Sequence, residues 1–312
     1  MVLDKKFLQN FTRTDMLFLG RTHVYSKSKT RNLKPDSQNK QQKHLKTNDD
    51  KKNNPIGIFD SGIGGTSIMR ELVKELPQED MIYLADSINA PYGEKSKEEI
   101  IQLCKKNVDF LLSKSCKLIV VACNTATTNA IAELRNFYTI PFIGIEPAIK
   151  PAALGSKTKT IGILATKGTL NSELFHKTSN IYTKDVNVIE VIGKGLVEIL
   201  ENGDFGSSKL KNILTTYMQP MIDANIDYLV LGCSHYPYLI PLLKEIMPQN
   251  VQIIDSGEAV ARQTKAVLGK FNLNNKKTSI GYRKFYTTAK EEVLNIIVSK
   301  FFHKYVLNPL KT

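Results

Sequence analysis

The hydrophobic pattern beyond Pro55 alternates between short apolar runs and stretches with helical spacing. Ile56–Phe59 is a continuous apolar run of the kind that forms a strand buried on both faces. A glycine-rich segment, Gly62–Gly65, follows it as a tight turn. The next residues place apolar side chains at helical spacing, at Ile68, Met69, Leu72, Val73 and Leu76. The pattern therefore predicts a strand, a tight loop and a helix in that order.

This unit of strand, turn and helix recurs three more times along the chain. The recurrences begin near Lys117, Thr160 and Asp227. Alternation of strands and helices is typical of α/β folds with parallel sheets. The two halves also echo each other, because one apolar strand in each half ends in a cysteine, Cys123 or Cys233. A duplicated α/β unit explains this echo, and a chance likeness between buried strands is the alternative.

Residues 1–54 differ in composition from the rest of the chain. From Arg21 to Pro55 the sequence is rich in Lys, Asn, Gln and Ser and nearly free of branched apolar residues. Such a segment buries too little apolar surface to offset its ordering entropy, so we predict a disordered basic N-terminal extension over residues 1–54. This extension either is an unselected or misassigned start of the sequence or binds anionic partners weakly.

The charge of the chain is concentrated in this extension. Residues 1–54 carry thirteen Lys and Arg against five Asp, so +8 of the total net charge of +13 lies there. The remaining +5 belongs to the part that is expected to fold. A weakly basic folded part does not indicate nucleic-acid binding, and we expect no nucleic-acid partner.

The cysteines and histidines show no metal-binding spacing. The four cysteines form no CxxC pair and the five histidines form no HExxH pattern, so neither a zinc site nor an iron–sulfur site is expected. The longest apolar runs are far shorter than the ~18 residues that a membrane helix needs, and Met16–Gly20 is too short for a signal-peptide core. We therefore expect a cytoplasmic protein with reduced thiols and no membrane partner.

Two of the cysteines follow predicted strands. In open parallel sheets ligands bind at the carboxyl ends of the strands, where loops meet helix N-termini, and Cys123 and Cys233 are expected there. A thiol in the positive potential of a helix N-terminus can be poised as a thiolate. Cys104 instead lies on an apolar helix stripe and is expected to be buried, and Cys116 lies in a turn without an assigned role. Small polar residues flank the pair, namely Asn124, Thr125, Ser234 and His235.

Four segments of the chain together resemble the motifs of the glutamate racemases. They are IFDSGIGGTSI, LADSINAPYGEKS, VVACNTATTNA and LVLGCSHYPYL, in this order and at these spacings. The resemblance covers the chain from Pro55 to the C-terminus. It implies two similar three-layer α/β domains with mainly parallel sheets that face each other across a cleft. Domain 1 comprises residues 55–150 and 258–312 and carries Cys123, and domain 2 comprises residues 151–257 and carries Cys233.

The resemblance also implies which residues form the active site. Cys123 and Cys233 are implied as the catalytic pair. The implied substrate-binding residues are Asp60, Ser61, Tyr92, Gly93, Asn124, Thr125, Ser234 and His235. Ser234 stands where the family usually has Thr, and this replacement keeps the hydroxyl.

Two further residues stay outside this set. Glu201 matches an acidic position of the family, but the sequence around it differs from the family pattern. Thr166 is a less strongly indicated contact of the substrate.

Two members of the implied set have ordinary structural alternatives. Asp60 can serve as the cap of the helix that follows the glycine loop. A single histidine after a strand, such as His235, is often only structural.

The implied activity is the interconversion of L- and D-glutamate without a cofactor. The implied small-molecule substrate is glutamate. The implied role of the D-glutamate is to supply peptidoglycan synthesis, and thereby cell-wall formation and cell shape. The resemblance is compatible with a homodimer. Racemisation removes the Cα proton from one face and returns one to the other, so it needs two groups, and a thiolate and a thiol can exchange these roles. Without a cofactor to spread the charge, donors such as Asn124, Thr125 and backbone N–H groups must stabilise the carbanion.

Two other functions compete with this interpretation. An aspartate or related racemase of the same superfamily differs in pocket depth, which the sequence does not display. A nucleotide- or phosphate-binding module could use the Gly62–Gly65 loop together with the basic extension. The loop matches neither GxGxxG nor the Walker A pattern, which argues against this second alternative.

Overall fold

The structure is a computed structural model that describes residues 51–310 of the 312-residue chain. The predicted N-terminal extension lies outside the described residues up to residue 50. Residues 51–54 lead into the first strand, and the main-chain carbonyl of Lys52 accepts a hydrogen bond of 2.6 Å from Lys117 Nζ. Within residues 51–310, every helix falls short of the length and apolarity that a membrane crossing requires.

Strands and helices alternate through the described residues. The strands are β1 (Ile56–Asp60), β2 (Met81–Ala85), β3 (Leu118–Val121), β4 (Phe142–Gly144), β5 (Thr160–Ala165), β6 (Asn187–Ile192), β7 (Tyr228–Gly232), β8 (Gln252–Ile254), β9 (Arg283–Thr287) and β10 (Val306–Pro309). The helices are α1 (Thr66–Glu75), α2 (Lys97–Ser113), α3 (Asn124–Phe137), α4 (Ile149–Gly155), α5 (Lys167–Leu170), α6 (Glu173–Tyr182), α7 (Leu196–Glu201), α8 (Ser208–Asp223), α9 (Ile240–Ile246), α10 (Gly257–Lys270) and α11 (Glu292–Phe301). Serine side chains start three of these helices, since Ser96, Ser172 and Ser207 each accept a hydrogen bond from the N–H three residues on.

The larger sheet has six parallel strands in the order β10-β9-β2-β1-β3-β4. In its middle, Ile58 of β1 lies opposite Tyr83 of β2 on one side and Val120 of β3 on the other. Every residue of β1 is buried, as expected for a parallel strand with helices on both faces. Two strands from the C-terminal segment, β9 and β10, complete one edge of the sheet.

The smaller sheet has four parallel strands in the order β6-β5-β7-β8. The order β2-β1-β3-β4 of the larger sheet therefore recurs here, which agrees with a duplicated unit. The predicted α/β fold with parallel sheets is confirmed. The described residues 51–310 belong to one compact unit. The division into domain 1 (residues 55–150 and 258–312) and domain 2 (residues 151–257) stays a prediction.

Buried polar groups close the amino ends of the strands in both sheets. In the larger sheet Lys117 Nζ lies 2.5 Å from Glu79 Oε2, and both side chains are almost fully buried. In the smaller sheet the carboxylate of Asp227 accepts hydrogen bonds from Ser156 Oγ (2.7 Å) and Lys157 N (2.6 Å). These groups bind each other and are structural. The functional side chains gather at the other ends of the strands, their carboxyl ends.

Candidate active site

The cysteines at the carboxyl ends of β3 and β7 line one small cavity between the two sheets. Its lining residues are Ser61, Pro91, Tyr92, Gly93, Cys123, Asn124, Thr125, Thr166, Val197, Cys233, Ser234 and His235. Nine of the ten site residues inferred from sequence are in this lining, and the tenth, Asp60, hydrogen-bonds to Ser234 at its edge. The cavity offers about 10 Å³ to the centres of water-sized molecules, which is roughly room for one water molecule. The space between the two thiols is therefore too small for an amino acid.

Cys123 caps the N-terminus of helix α3. Its Sγ accepts a hydrogen bond from Ala126 N (3.4 Å) and lies 3.6 Å from Ser61 Oγ. Burial, followed by the negative charge of Asp60, raises the pKa of the Cys123 thiol, although the hydrogen bonds with Ala126 and Ser61 oppose this shift. Cys123 is therefore a thiol in the resting site, with donors nearby that favour its thiolate form.

Cys233 follows β7, but no α-helix begins there. Cys233 O accepts from Tyr236 N (3.1 Å) in a turn that leads into a 3-10 segment, Tyr236–Leu239, and α9 begins only at Ile240. The expectation of a helix N-terminus at both cysteines is met only at Cys123. Each of these two short elements has a proline in its first turn, Pro237 or Pro241, where the missing N–H is tolerated. Farther inside a helix either proline would remove a main-chain hydrogen bond, so the segment forms two short elements instead of one helix that begins at Cys233.

A histidine and a glutamate lie beside Cys233 instead. Cys233 Sγ lies 3.8 Å from His235 Nδ1, and His235 Nε2 lies 2.5 Å from Glu201 Oε1. Burial alone would lower the pKa of His235. The hydrogen bonds and negative charges of Cys233 and Glu201 outweigh burial and raise the pKa of His235 well above its usual value. The Glu201 carboxylate at one ring nitrogen and the Cys233 sulfur near the other therefore favour the protonated form of the imidazole.

Asp60 connects the two sheets across the cavity. Its Oδ2 accepts from Gly62 N (3.0 Å) and its Oδ1 from Ser234 Oγ (2.9 Å). Burial raises the pKa of Asp60, and the positive charge of His235 opposes this shift. Asp60 does not cap the following helix, because the N-cap of α1 is Gly65 and has no side-chain cap.

Polar side chains at the start of α3 also line the cavity. Both polar side-chain atoms of Asn124 are buried and have no hydrogen-bond partner among the described residues. Thr125 Oγ1 lies 2.8 Å from Thr166 Oγ1 and 3.1 Å from Thr169 Oγ1, so hydroxyls from both halves meet here. An amide without partners and a group of hydroxyls are suited to bind a carboxylate.

Tyr92 and Gly93 approach the cavity in different ways. Tyr92 is buried, and its hydroxyl donates to Asp86 Oδ2 (2.5 Å) and accepts from Asn107 Nδ2 (3.0 Å), so it is directed to other protein groups. A Cβ on Gly93 would lie 3.0 Å from Thr166 Cβ, so the main chain there lies against the other half of the molecule. The main chain of this segment remains for contact with a ligand.

Glu201 is the main residue that the sequence-based set omits. Besides His235, its carboxylate accepts hydrogen bonds from Ile63 N (2.6 Å) and Ser87 Oγ (2.9 Å), two residues of the larger-sheet half. An acidic residue at a family position was the available signal, but the residues that contact it lie 34 (His235), 114 (Ser87) and 138 (Ile63) positions away in the chain. Thr169 was also missed, and its spacing of three from Thr166 on a helical turn could have indicated it.

Within residues 51–310, His, Cys, Asp and Glu side chains form no group of three or more that could hold a metal ion. The expectation that the protein has no metal site stays a prediction from the spacing of its cysteines and histidines. The cavity residues are suited to an organic ligand with carboxylates.

Comparisons with known proteins agree with this arrangement. The Asp/Glu/hydantoin racemase family model matches residues 56–264. A glutamate racemase from Pseudomonas putida strain F1 is 44% identical over 251 residues, which cover 80% of this chain and 94% of that protein.

Two solved structures share the fold. Escherichia coli glutamate racemase, in complex with L-glutamate and the activator UDP-MurNAc-Ala, has a TM-score of 0.74 at 30% identity, and the match covers 82% of this chain and 98% of that one. A glutamate racemase from Francisella tularensis in complex with D-glutamate has a TM-score of 0.72 at 28% identity, and the match covers 83% and 98%.

Proposed function

Because the chain belongs to the Asp/Glu/hydantoin racemase family, we propose that it interconverts L- and D-glutamate by proton transfers between the substrate Cα and the thiols of Cys123 and Cys233. The observation that carries this proposal is that two thiols, one from each sheet, line the same cavity. Relatives that bear the name glutamate racemase, and related structures bound to L-glutamate and D-glutamate, support glutamate as the substrate.

The proposed reaction needs one thiolate and one thiol at a time. In one direction the Cys233 thiolate takes the Cα proton from one face, the bond electrons remain on the substrate, and the Cys123 thiol delivers its proton to the opposite face. The two sulfurs have then exchanged protonation states, so the same pair runs the reverse reaction. The raised pKa of His235, which lies beside Cys233, and the raised pKa of Cys123 support this starting state.

The carbanion must be stabilised by groups already in place, because hydrogen-bond donors aimed at the developing charge contribute most when water is excluded. The Asn124 amide, which has no partner among the described residues, and the N–H groups at the start of α3 are the proposed donors to the substrate α-carboxylate. Asp60 and His235 are proposed to orient the ammonium group and to tune the thiols.

Substrate entry requires the closed cavity to open. Glutamate needs far more space than one water molecule, and hydrogen bonds join the two halves around the site. These include the contact of Thr125 with Thr166 and the hydrogen bond from Ser67 Oγ to the carbonyl of Ser234 (2.9 Å). We therefore infer that the two sheets separate to admit substrate and close again before proton transfer.

The wider role follows from the proposed reaction. D-Glutamate from this enzyme would supply peptidoglycan synthesis and hence cell-wall formation and cell shape, in the cytoplasm. A homodimer is part of the proposal only as an alternative to a monomer, and light scattering on the purified chain distinguishes them.

The test is chiral analysis of glutamate incubated in D₂O with the purified full chain and no added cofactor. A thiol exchanges its proton with D₂O before it donates, so the first D-glutamate formed from L-glutamate should carry deuterium at Cα while unreacted L-glutamate remains largely protiated. Aspartate is run in parallel. Product that keeps its original protium overturns the two-base proposal, no turnover of glutamate overturns the activity, and a higher kcat/KM for aspartate reassigns the substrate.

A further inference from the structure

A buried carboxylate that the proposed reaction does not use lies behind the Tyr92–Gly93 segment. Asp86 follows β2, is 3% exposed, and receives hydrogen bonds on both oxygens. Its Oδ2 accepts from the Tyr92 hydroxyl (2.5 Å), and its Oδ1 accepts from Asn89 Nδ2 (2.9 Å) and Thr288 Oγ1 (3.2 Å). A buried carboxyl group with this many donors holds them in one arrangement, because loss of any donor leaves a buried acceptor less well satisfied.

Asp86 and Tyr92 together connect their turn to three separate parts of the chain. Thr288 comes directly after β9 in the C-terminal segment, and its Oγ1 also accepts from Ile88 N (3.1 Å). Tyr92 accepts from Asn107 Nδ2 on α2 (3.0 Å). The main-chain N–H of Asp86 donates to the carbonyl of Asp60 (3.0 Å). The turn that carries Tyr92 is therefore anchored to the end of β9 and to α2 through one carboxylate and one phenol, and to β1 through the main chain of Asp86.

The Tyr92–Gly93 turn has little room to move. A Cβ on Gly93 would lie 3.0 Å from Thr166 Cβ, and a Cβ on Gly168 would lie 3.0 Å from the carbonyl oxygen of Gly93. The turn thus lies in close contact with the smaller-sheet half at the wall of the cavity. Displacements of ~1 Å at such a position are enough to lose much of the binding or rate.

From this geometry we propose that Asp86 is a positioning residue for substrate binding. It fixes the Tyr92–Gly93 main chain at the cavity wall by holding the Tyr92 hydroxyl, while neither side-chain group touches the reacting atoms. The inference rests on the proposed function, because it concerns the affinity of the same site for its amino-acid substrate. Since the turn binds the substrate and moves no proton, its displacement should raise KM and leave kcat nearly unchanged.

A double-mutant cycle on the full chain tests this proposal. Asp86→Ala, Tyr92→Phe and the double variant are compared with the wild type for KM and kcat in both directions of glutamate racemisation. Each single change should raise KM about tenfold with kcat within about threefold, and the double variant should be no worse than the worse single one, because both changes break the same link. Thr288→Val, which removes one donor to Asp86, should raise KM less.

A second tyrosine–aspartate pair supplies the matched control. Tyr138 Oη donates to Asp109 Oδ1 at 2.7 Å on the outer surface of α2 and α3, away from the cavity. Asp109→Ala and Tyr138→Phe should leave KM and kcat within about twofold of the wild type. This control separates loss of a tyrosine–aspartate hydrogen bond in general from loss of the one at the cavity.

Each outcome decides the proposal. Unchanged KM in folded Tyr92→Phe, or KM effects that multiply in the double variant, overturns it. If Asp86→Ala fails to fold, Tyr92→Phe alone carries the test, because it keeps the ring and removes only the hydroxyl. Absence of turnover in the wild type would overturn the proposed function and this inference together, whereas wild-type turnover with unchanged KM in the variants overturns this inference alone.

Discussion

The two halves of the molecule share a strand order but hold their cysteines in different electrostatic surroundings. In the larger-sheet half, Cys123 caps a fourteen-residue helix and faces the carboxylate of Asp60. In the smaller-sheet half, Cys233 is followed by a short 3-10 segment and faces His235, whose pKa is raised. The backbone donors of a helix N-terminus therefore favour thiolate at one sulfur, and an imidazolium does so at the other.

This difference indicates how one site can work in both directions with unlike halves. Both surroundings provide positive potential to a sulfur, but the histidine can be changed without moving the fold, whereas the helix N-terminus is part of it. The asymmetry also identifies one side, that of Cys233, as the side with a titratable partner. Changes at Glu201 and His235 should therefore act on one proton transfer more than on the other.

The largest effect is expected from removing either thiol. Cys123→Ala and Cys233→Ala should each reduce racemisation by ~10²- to 10⁴-fold, because each removes the proton-transfer group of one face. Each variant should still exchange the Cα proton of one enantiomer with D₂O, and the enantiomer should differ between the two, as measured by NMR. Cys104→Ala, which changes a buried thiol elsewhere, is the control and should keep its activity. Near-normal racemisation in both variants would show that the pair is structural.

A smaller effect is expected from Glu201→Gln. The change removes the negative charge that helps to raise the pKa of His235, so we expect kcat to fall by ~10-fold, in line with loss of a charge-assisted hydrogen bond. The alkaline limb of the pH–rate profile should move to lower pH, because His235 then loses its proton more easily.

Glu198→Gln provides the control for this change on the same helix. Glu198 is exposed, so the same substitution there should leave both kcat and the pH profile in place. An unchanged pH profile in Glu201→Gln would contradict the role of Glu201 as the partner of His235.

A competition between the thiols for iodoacetamide tests the asymmetry directly. Cys233, beside a cation, should be alkylated on the order of fivefold faster than Cys123, because the thiolate is the reactive form and burial with Asp60 raises the pKa of Cys123. Peptide mass spectrometry on the full chain gives both rates, with buried Cys104 and Cys116 as slow internal references. Faster labelling of Cys123 would reverse the comparison.

The smallest effect is expected at the opposite ends of the strands, where the smaller sheet relies on Asp227. Burial alone would raise the pKa of Asp227, but hydrogen bonds from Ser156, Lys157 and Thr158 outweigh burial and lower it. A lowered folded-state pKa stabilises the fold above the ordinary value of 3.8, and this contribution is lost as pH falls through the folded-state pKa. Asp227→Asn should therefore lower the free energy of unfolding by about 1 kcal/mol at pH 7.

Urea unfolding of the wild type and Asp227→Asn across pH checks this sign. The difference between them should be constant from neutral pH to about pH 5 and shrink as pH falls below 3.8. Asp223→Asn, at the exposed last residue of α8, is the control and should show a smaller difference. A difference that grows toward low pH would contradict the lowered pKa.

Much of the fold was accessible from sequence because it depends on local patterns. Continuous apolar runs followed by helical spacing correctly predicted β1 with α1 and β3 with α3. At Cys233 the same reasoning predicted a helix N-terminus and was wrong, because Pro237 and Pro241 divide the segment into a 3-10 turn and a short helix. The site residues stay predictions as to role, although the structure brings them to one cavity.

The sequence by itself determined the α/β alternation, the two cysteines at strand ends and the motifs around them, because these follow from periodicity and from residues adjacent in the chain. Only the tertiary structure decided that Glu201 reaches His235 and Ile63, that Asp60 reaches Ser234, and that the Tyr92 hydroxyl is held by Asp86 rather than directed to a ligand. Two of these contacts join residues 138 and 174 positions apart. Hydrogen-bond direction and burial depend on where distant strands meet, and no spacing rule along the chain contains that information.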